Sequence, residues 1–197
     1  MAKSLLVYLH GFRSSPRSSK AVMTGEAIKS LSTRDNPYEW YCPQLLASPK
    51  LSMDMVVEYI DSASFDRLVV IGSSLGGFYA TWIAVQRGWR AVLINPAVDP
   101  ARDLSRYIGE QSNWHDPQER FFFAPEFVDE LRALAVGPLA HAKSFMALIA
   151  KGDEVLDWRE MTARYAGAQQ TVLEGGDHAL SDFDPHIPQV LAFLHLA

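Results

Sequence analysis

The chain has 197 residues, of which 48% are hydrophobic, and a formal net charge of −5. This length and apolar content predict a single domain, residues 1–197, with a sizeable buried core. An acidic chain with no run of basic residues argues against nucleic-acid binding. No stretch is apolar over the 18 or more residues that a membrane span requires, so no membrane association is expected.

Several absences in the sequence narrow the expectations further. Cys42 is the only cysteine, which excludes an intramolecular disulfide and suits a reducing compartment. The apolar stretch 5–7 is too short for a signal-peptide core, and we therefore expect a cytoplasmic protein. Neither the paired-histidine motifs of zinc enzymes nor a glycine-rich nucleotide motif occurs, so we expect no metal and no cofactor. The oligomeric state stays open.

Short apolar stretches alternate with segments of helical periodicity along the chain. Strands are predicted at 4–9, 67–71, 91–95, 144–151 and 169–174, and helices at 18–32, 53–60, 76–87, 158–165 and 184–194. This alternation predicts an α/β fold in which a mostly parallel sheet is covered by helices on both faces. We expect the aromatic residues of the third helix, Phe78, Tyr79 and Trp82, to lie in the core.

The first predicted strand ends in His10-Gly11, and a small polar loop follows. A loop in this position supplies one backbone N–H group of the oxyanion hole in α/β hydrolases. Phe12 is the candidate for that donor, because Gly11 before it allows the backbone to approach a substrate oxygen closely. We expect His10 to brace the loop rather than to react. Arg13 is a candidate contact for an acidic or phosphorylated group of a substrate.

The second predicted strand runs directly into Gly72-Ser73-Ser74-Leu75-Gly76, and a helical pattern follows at once. This G-x-S-x-G sequence between a strand and a helix is typical of a nucleophile elbow, a tight turn that lifts the serine hydroxyl clear of the sheet. Ser74 is therefore the candidate nucleophile and the N–H of Leu75 the second oxyanion donor. Taken alone, the five residues also fit an ordinary turn or a phosphate-binding helix N-terminus.

Residues 99–143 form the least regular part of the sequence and follow a predicted strand, where hydrolases insert caps over the active site. We predict a small helical cap or lid here. Its aromatic residues can either line an acyl pocket or anchor the lid to the body of the protein. They are Tyr107, Trp114, Phe121, Phe122, Phe123 and Phe127.

An acid and a histidine follow the last two predicted strands. Asp153 comes just after the strand 144–151 and is the preferred acid; Asp157 is the second choice and Glu154 the third. Asp157 precedes a helical stretch and also fits the role of a helix N-cap. His178 lies in a glycine-rich loop after the last strand, where a general base is expected. The order Ser74, Asp153, His178 matches the order of triad residues in α/β hydrolases.

Several sequence blocks together resemble the YqiA-like family of small bacterial esterases, within the α/β-hydrolase superfamily. They are Leu9–Pro16, Gly72–Thr81, Asn95–Ala97, Gly152–Asp157 and Glu174–Ala179. The resemblance spans essentially the whole chain. It implies a compact hydrolase with a Ser-Asp-His triad on Ser74, Asp153 and His178, acting on small-molecule carboxylic esters, with short acyl chains expected.

Other functions remain compatible with this sequence. A thioesterase, an amidase or an acyltransferase would use the same triad and the same acyl-enzyme intermediate. A non-catalytic binding protein with a hydrolase fold is a further alternative, because the fold alone does not fix the function. The presence of all three triad residues argues against the non-catalytic alternative, and a carboxylesterase is the leading interpretation.

Overall fold

The computed structural model describes residues 3–196. The strands are β1 Ser4–Leu9, β2 Tyr38–Tyr41, β3 Arg67–Ser73, β4 Arg90–Ile94, β5 Gly109–Ser112, β6 Arg120–Phe123, β7 Phe145–Ala150 and β8 Gln169–Leu173. Six of them form a parallel sheet in the order β2-β1-β3-β4-β7-β8, whereas β5 and β6 pair with each other as an antiparallel hairpin. The α/β fold with a mostly parallel sheet is thus confirmed.

The four inner strands read as nearly continuous apolar runs because both faces of the sheet are covered. In β1, Leu6 and Tyr8 contribute to one core, whereas Leu5, Val7 and Leu9 contribute to the other. The edge strand β2 was not predicted. It has only four residues, all of them half-buried, so it lacks the apolar run that identifies an inner strand.

Helices pack on both faces of the sheet. They are α1 Ser19–Leu31, α2 Pro49–Asp61, α3 Leu75–Arg87, α4 Pro100–Leu104, α5 Pro125–Ala133, α6 Trp158–Arg164 and α7 Ile187–Phe193. Residues of α1 and α7 share one core, and residues of α2, α3 and α6 share the core on the opposite face. Phe78, Tyr79 and Trp82 of α3 pack in the second of these cores, as the sequence predicted.

The segment 99–143 is not purely helical, which corrects the prediction of a helical cap. Between α4 and α5 it contains the hairpin of β5 and β6. The period of two is visible in the three consecutive phenylalanines of β6: Phe121 is half-buried, Phe122 is exposed and Phe123 is buried. A helix would not separate consecutive residues in this alternating way.

Aromatic rings of this segment pack on Phe12, which lies in the loop after β1. The Phe12 ring centroid is 5.7 Å from that of Tyr107, 5.7 Å from that of Phe121 and 5.3 Å from that of Phe123. Such offset and edge-to-face arrangements are favourable for aromatic pairs. The hairpin is therefore docked on the loop that carries the expected oxyanion donor.

Candidate active site

Ser74 lies at the sharp turn between β3 and α3, with φ 55° and ψ −122°. Few non-glycine residues adopt this strained conformation, which clusters at functional sites. The turn is possible because the residues two positions before and two positions after Ser74 are glycines. A Cβ atom on Gly72 would overlap the carbonyl of Gly76, and one on Gly76 would overlap the carbonyl of Leu9. The backbones of β1, β3 and α3 therefore meet directly beneath Ser74.

The structure brings Ser74, His178 and Asp153 into one hydrogen-bonded chain. The distance from Ser74 Oγ to His178 Nε2 is 2.9 Å, and that from His178 Nδ1 to Asp153 Oδ2 is 2.8 Å. Because an ionised carboxylate can only accept hydrogen bonds, His178 Nδ1 carries the ring proton and donates a hydrogen bond to Asp153. Nε2 is then the acceptor for the Ser74 hydroxyl.

The three candidate acids have different partners. The Asp153 side chain is fully buried, and its Oδ1 accepts hydrogen bonds of 2.8 Å from the backbone N–H groups of Val155 and Leu156. These bonds leave Oδ2 facing the histidine. Glu154 instead accepts a bond of 3.0 Å from the backbone N–H of His178. Asp157 caps α6 by accepting from the N–H of Arg159. Asp153 alone among the three contacts the imidazole.

Asn95, at the end of β4, ties the loop of His178 to the sheet, a role that sequence reasoning missed. It is fully buried and has a positive φ of 41°. Its Oδ1 accepts from the N–H of Ala150, and its Nδ2 donates to the carbonyls of Asp177 and His178. The only sequence signal is Asn95-Pro96 directly after a strand, which marks a turn but not these contacts.

The two expected oxyanion donors lie beside Ser74. Phe12 and Leu75 both line the cavity that contains Ser74 and His178. Among residues 3–196 neither backbone N–H donates a hydrogen bond. A Cβ atom on Gly11 would lie 3.1 Å from Ser74 Cβ, so the loop approaches the serine closely. Both N–H groups are therefore available to a substrate oxygen.

His10 braces this loop from behind. Its Nδ1 donates to the carbonyl of Gly11 at 2.9 Å, and its Nε2 accepts from the N–H of Leu45 at 3.0 Å. Burial lowers the pKa of His10 to about 4, so the ring is neutral near pH 7. His10 lines a separate cavity whose walls do not include Ser74.

Two cavities open on the Ser74–His178 pair. One, of about 200 Å³, is walled mainly by apolar side chains such as Leu104, Tyr107 and Leu156. The other, of about 460 Å³, contains more polar groups, among them Lys20. The Lys20 ammonium donates to the carbonyl of Ala179, and burial lowers its pKa to about 8. Ser74 and His178 therefore lie between an apolar and a more polar cavity.

Within residues 3–196 no three His, Cys, Asp or Glu side chains are grouped so as to hold a metal ion. None of the helices in the described part of the chain has both the length and the apolar character needed to cross a bilayer.

A family model described as "Uncharacterised protein family (UPF0227)" matches residues 5–195. The chain belongs to this family. UPF0227 proteins of Yersinia pseudotuberculosis and Yersinia pestis are each 24% identical to it over 195 residues, covering 96% of this chain and 98% of the relative. The family assignment confirms the resemblance to YqiA-like proteins that the sequence motifs predicted.

Solved structures similar to this UPF0227 member are α/β hydrolases. Mouse alpha/beta hydrolase domain-containing protein 10 has a TM-score of 0.71 at 18% identity, covering 97% of this chain and 89% of the mouse chain. A putative hydrolase from Agrobacterium vitis has a TM-score of 0.70 at 18% identity, with 97% and 88% covered. An esterase from Pyrococcus furiosus has a TM-score of 0.65 at 14% identity, with 98% and 82% covered. These similarities establish the α/β-hydrolase fold.

Proposed function

We propose that the protein is a serine hydrolase that cleaves carboxylic esters, with Ser74 as nucleophile, His178 as general base and Asp153 as the acid that orients it. The observation that carries this proposal is the hydrogen-bonded chain from Ser74 Oγ through His178 to Asp153, with distances of 2.9 and 2.8 Å. A serine is nucleophilic only when a base takes its proton, and this chain supplies the base together with a group that fixes its tautomer.

In the first half of the reaction, Ser74 Oγ attacks the ester carbonyl while His178 Nε2 takes the hydroxyl proton. The imidazolium is stabilised by the buried Asp153 carboxylate, which keeps its own negative charge. His178 then donates the proton to the leaving alkoxide, and an acyl group remains on Ser74. In the second half, His178 deprotonates water, the water attacks the acyl carbonyl, and the proton returns to Ser74 as the carboxylic acid leaves.

The oxyanion formed in each half accepts hydrogen bonds from the N–H groups of Phe12 and Leu75. One such donor contributes about 2.7–4 kcal/mol to lowering the barrier. Both groups belong to the backbone, so their side chains can vary without loss of the donors. Gly11 supports this arrangement because its lack of a Cβ atom lets the Phe12 loop approach Ser74.

A short acyl group fits the apolar cavity. Its volume of about 200 Å³ is below the range of roughly 300–1,000 Å³ that drug-sized ligands occupy. The wall residue Leu104 is buried and its helix α4 is capped by Asp99, which supports a fixed rather than an expandable wall.

We also propose a cytoplasmic location, which the single cysteine of the chain favours.

The nucleophile is tested by labelling the purified protein with a fluorophosphonate probe and by measuring turnover of p-nitrophenyl acetate, butyrate and octanoate. We expect stoichiometric labelling on Ser74, loss of both labelling and turnover in Ser74→Ala, and faster turnover of the shorter esters. Circular dichroism establishes that the variant is folded. Unchanged ester hydrolysis in folded Ser74→Ala would contradict the proposal.

The acid is tested with a matched pair, Asp153→Asn and Asp157→Asn. The first should lower kcat by orders of magnitude, because the neutral amide no longer favours the required tautomer of His178. The second should leave kcat nearly unchanged, because Asp157 caps α6 and pairs with Arg159 rather than with His178. The reverse result would assign the acid to Asp157. A panel of acyl thioesters and amides, measured on the same proteins, separates an esterase from the related hydrolases.

A further inference from the structure

Arg13 and Arg106 line the apolar cavity together with Ser74 and His178. Arg13 is half-buried and Arg106 is exposed. Within residues 3–196 neither forms an ion pair with a carboxylate. Since an arginine keeps its charge at any ordinary pH, this wall of the cavity carries two positive charges without a protein counter-ion.

Arg13 is held in a fixed orientation. Its Nε donates to the carbonyl of Ser112 at 2.6 Å and its Nη2 to Ser112 Oγ at 3.2 Å. The guanidinium also lies over the ring of Trp114, 4.0 Å from its centroid. Its backbone has a positive φ of 59° directly after Phe12. The remaining N–H donors are oriented in advance and can bind a planar anion.

The carboxylates near the cavity already have partners within the protein. Asp103 also lines the cavity, but it accepts from Arg102 Nε at 2.8 Å, and Arg102 in turn pairs with Glu160. The buried Asp153 carboxylate is held by His178 and by the backbone N–H groups of Val155 and Leu156. None of these carboxylates forms an ion pair with Arg13 or Arg106.

The aromatic walls argue against a cationic ligand. Arg13 covers the face of Trp114, and Arg106 lies over the ring of Tyr107, 5.1 Å from its centroid. One face of each ring is therefore already covered by a cation, which disfavours an ammonium group there. A neutral ligand would leave the half-buried Arg13 guanidinium without a counter-ion.

We infer that the preferred substrate is an ester carrying a free carboxylate on the part that occupies the cavity between Arg13 and Arg106. This inference rests on the proposed function and specifies its substrate class. The carboxylate binds the two guanidinium groups, and the ester carbonyl lies at Ser74. The apolar wall residues contact the short carbon chain between the two groups.

Two matched pairs of esters test this inference, one for each side of the ester bond. Monomethyl glutarate is compared with methyl glutaramate, which replaces the carboxylate of the acyl part by an amide of the same shape. For the alcohol part, 3-acetoxybenzoate is compared with 3-acetoxybenzamide. In at least one pair, kcat/KM should be about tenfold or more higher for the charged ester, as expected for charge-assisted hydrogen bonds. The preference should weaken as salt is added, whereas the neutral ester should respond little.

Arg106→Gln and Arg13→Gln should each reduce this preference about tenfold while the neutral ester is still cleaved. The control for a lost positive charge is Arg132→Gln, which should retain the preference. Arg132 is an exposed residue of α5 and pairs with Asp129. Equal kcat/KM within both pairs, or a preference that survives both cavity substitutions, would overturn the inference.

Calorimetry on Ser74→Ala, with the same four esters as ligands, separates this inference from the proposed function. Tighter binding of a charged ester that depends on Arg106 supports the carboxylate site even if no ester is turned over. Conversely, hydrolysis of neutral and charged esters at equal rates, with equal binding, rejects the carboxylate site and leaves the esterase proposal standing.

Discussion

Lowering the pH should destabilise this protein through His10, and His10→Gln should remove that effect. The imidazole is buried behind the loop of Phe12, where it donates to Gly11 and accepts from Leu45. In the folded chain burial holds the pKa of His10 at about 4, against an ordinary value of 6.5. The unfolded chain therefore takes up a proton on this residue at a pH where the folded chain does not.

The sign and the size of the effect follow from this difference in pKa. Above about pH 6.5 the ring is neutral in both states, and His10 adds no pH dependence. As the pH falls from 6.5 to 4, only the unfolded state binds the proton, so the free energy of unfolding decreases. Since each pH unit between the two pKa values corresponds to about 1.4 kcal/mol, the full loss is about 3 kcal/mol.

Urea denaturation of the wild type and His10→Gln at about pH 7.5 and about pH 4.5 measures this loss directly. Carboxyl groups titrate in both proteins, so the relevant quantity is the difference between them. The wild type should lose about 2.5 kcal/mol more than the variant over this interval. A stability difference between the two proteins that is the same at both pH values would refute the linkage to His10.

Three further substitutions test the packing around the site. Gly76→Ala should prevent normal folding, because the added Cβ atom would overlap the carbonyl of Leu9. Gly137→Ala is the control and should be tolerated, because its Cβ atom would have nothing within 4 Å. The yield of soluble protein and the thermal unfolding temperature of the two variants measure the difference. Asn95→Ala should lower the free energy of unfolding by about 3 kcal/mol or more, measured in urea, because three backbone groups lose their partner inside the protein. Asp157→Ala should lower the free energy of unfolding by about 1 kcal/mol, because α6 loses its N-cap, while ester turnover persists. Loss of ester turnover in a folded Asp157→Ala protein would contradict a purely capping role.

The parts of the site that depend on short-range sequence could be predicted. A tight turn between an inner strand and a helix needs glycines at fixed positions, so Gly72 and Gly76 identify the elbow around Ser74. The positions of Asp153 and His178 were predictable because each follows a predicted strand, and parallel strands end at the same edge of the sheet.

The contacts that depend on distant residues could not be predicted in this way. Asn95 binds backbone groups 55, 82 and 83 positions away, and no local pattern encodes such partners. The hairpin of β5 and β6 was missed because its strands have only four residues each and include polar and exposed positions. The bond from Glu154 to the backbone of His178 likewise depends on how two loops meet.

The candidate triad and one wall of the apolar cavity come from different stretches of the chain. Ser74, Asp153 and His178 follow β3, β7 and β8, whereas Arg106, Tyr107 and Trp114 belong to the excursion between β4 and β7. That excursion contributes no strand to the central sheet. Substitutions in this segment can therefore change that wall without altering the strands that position Ser74, Asp153 and His178.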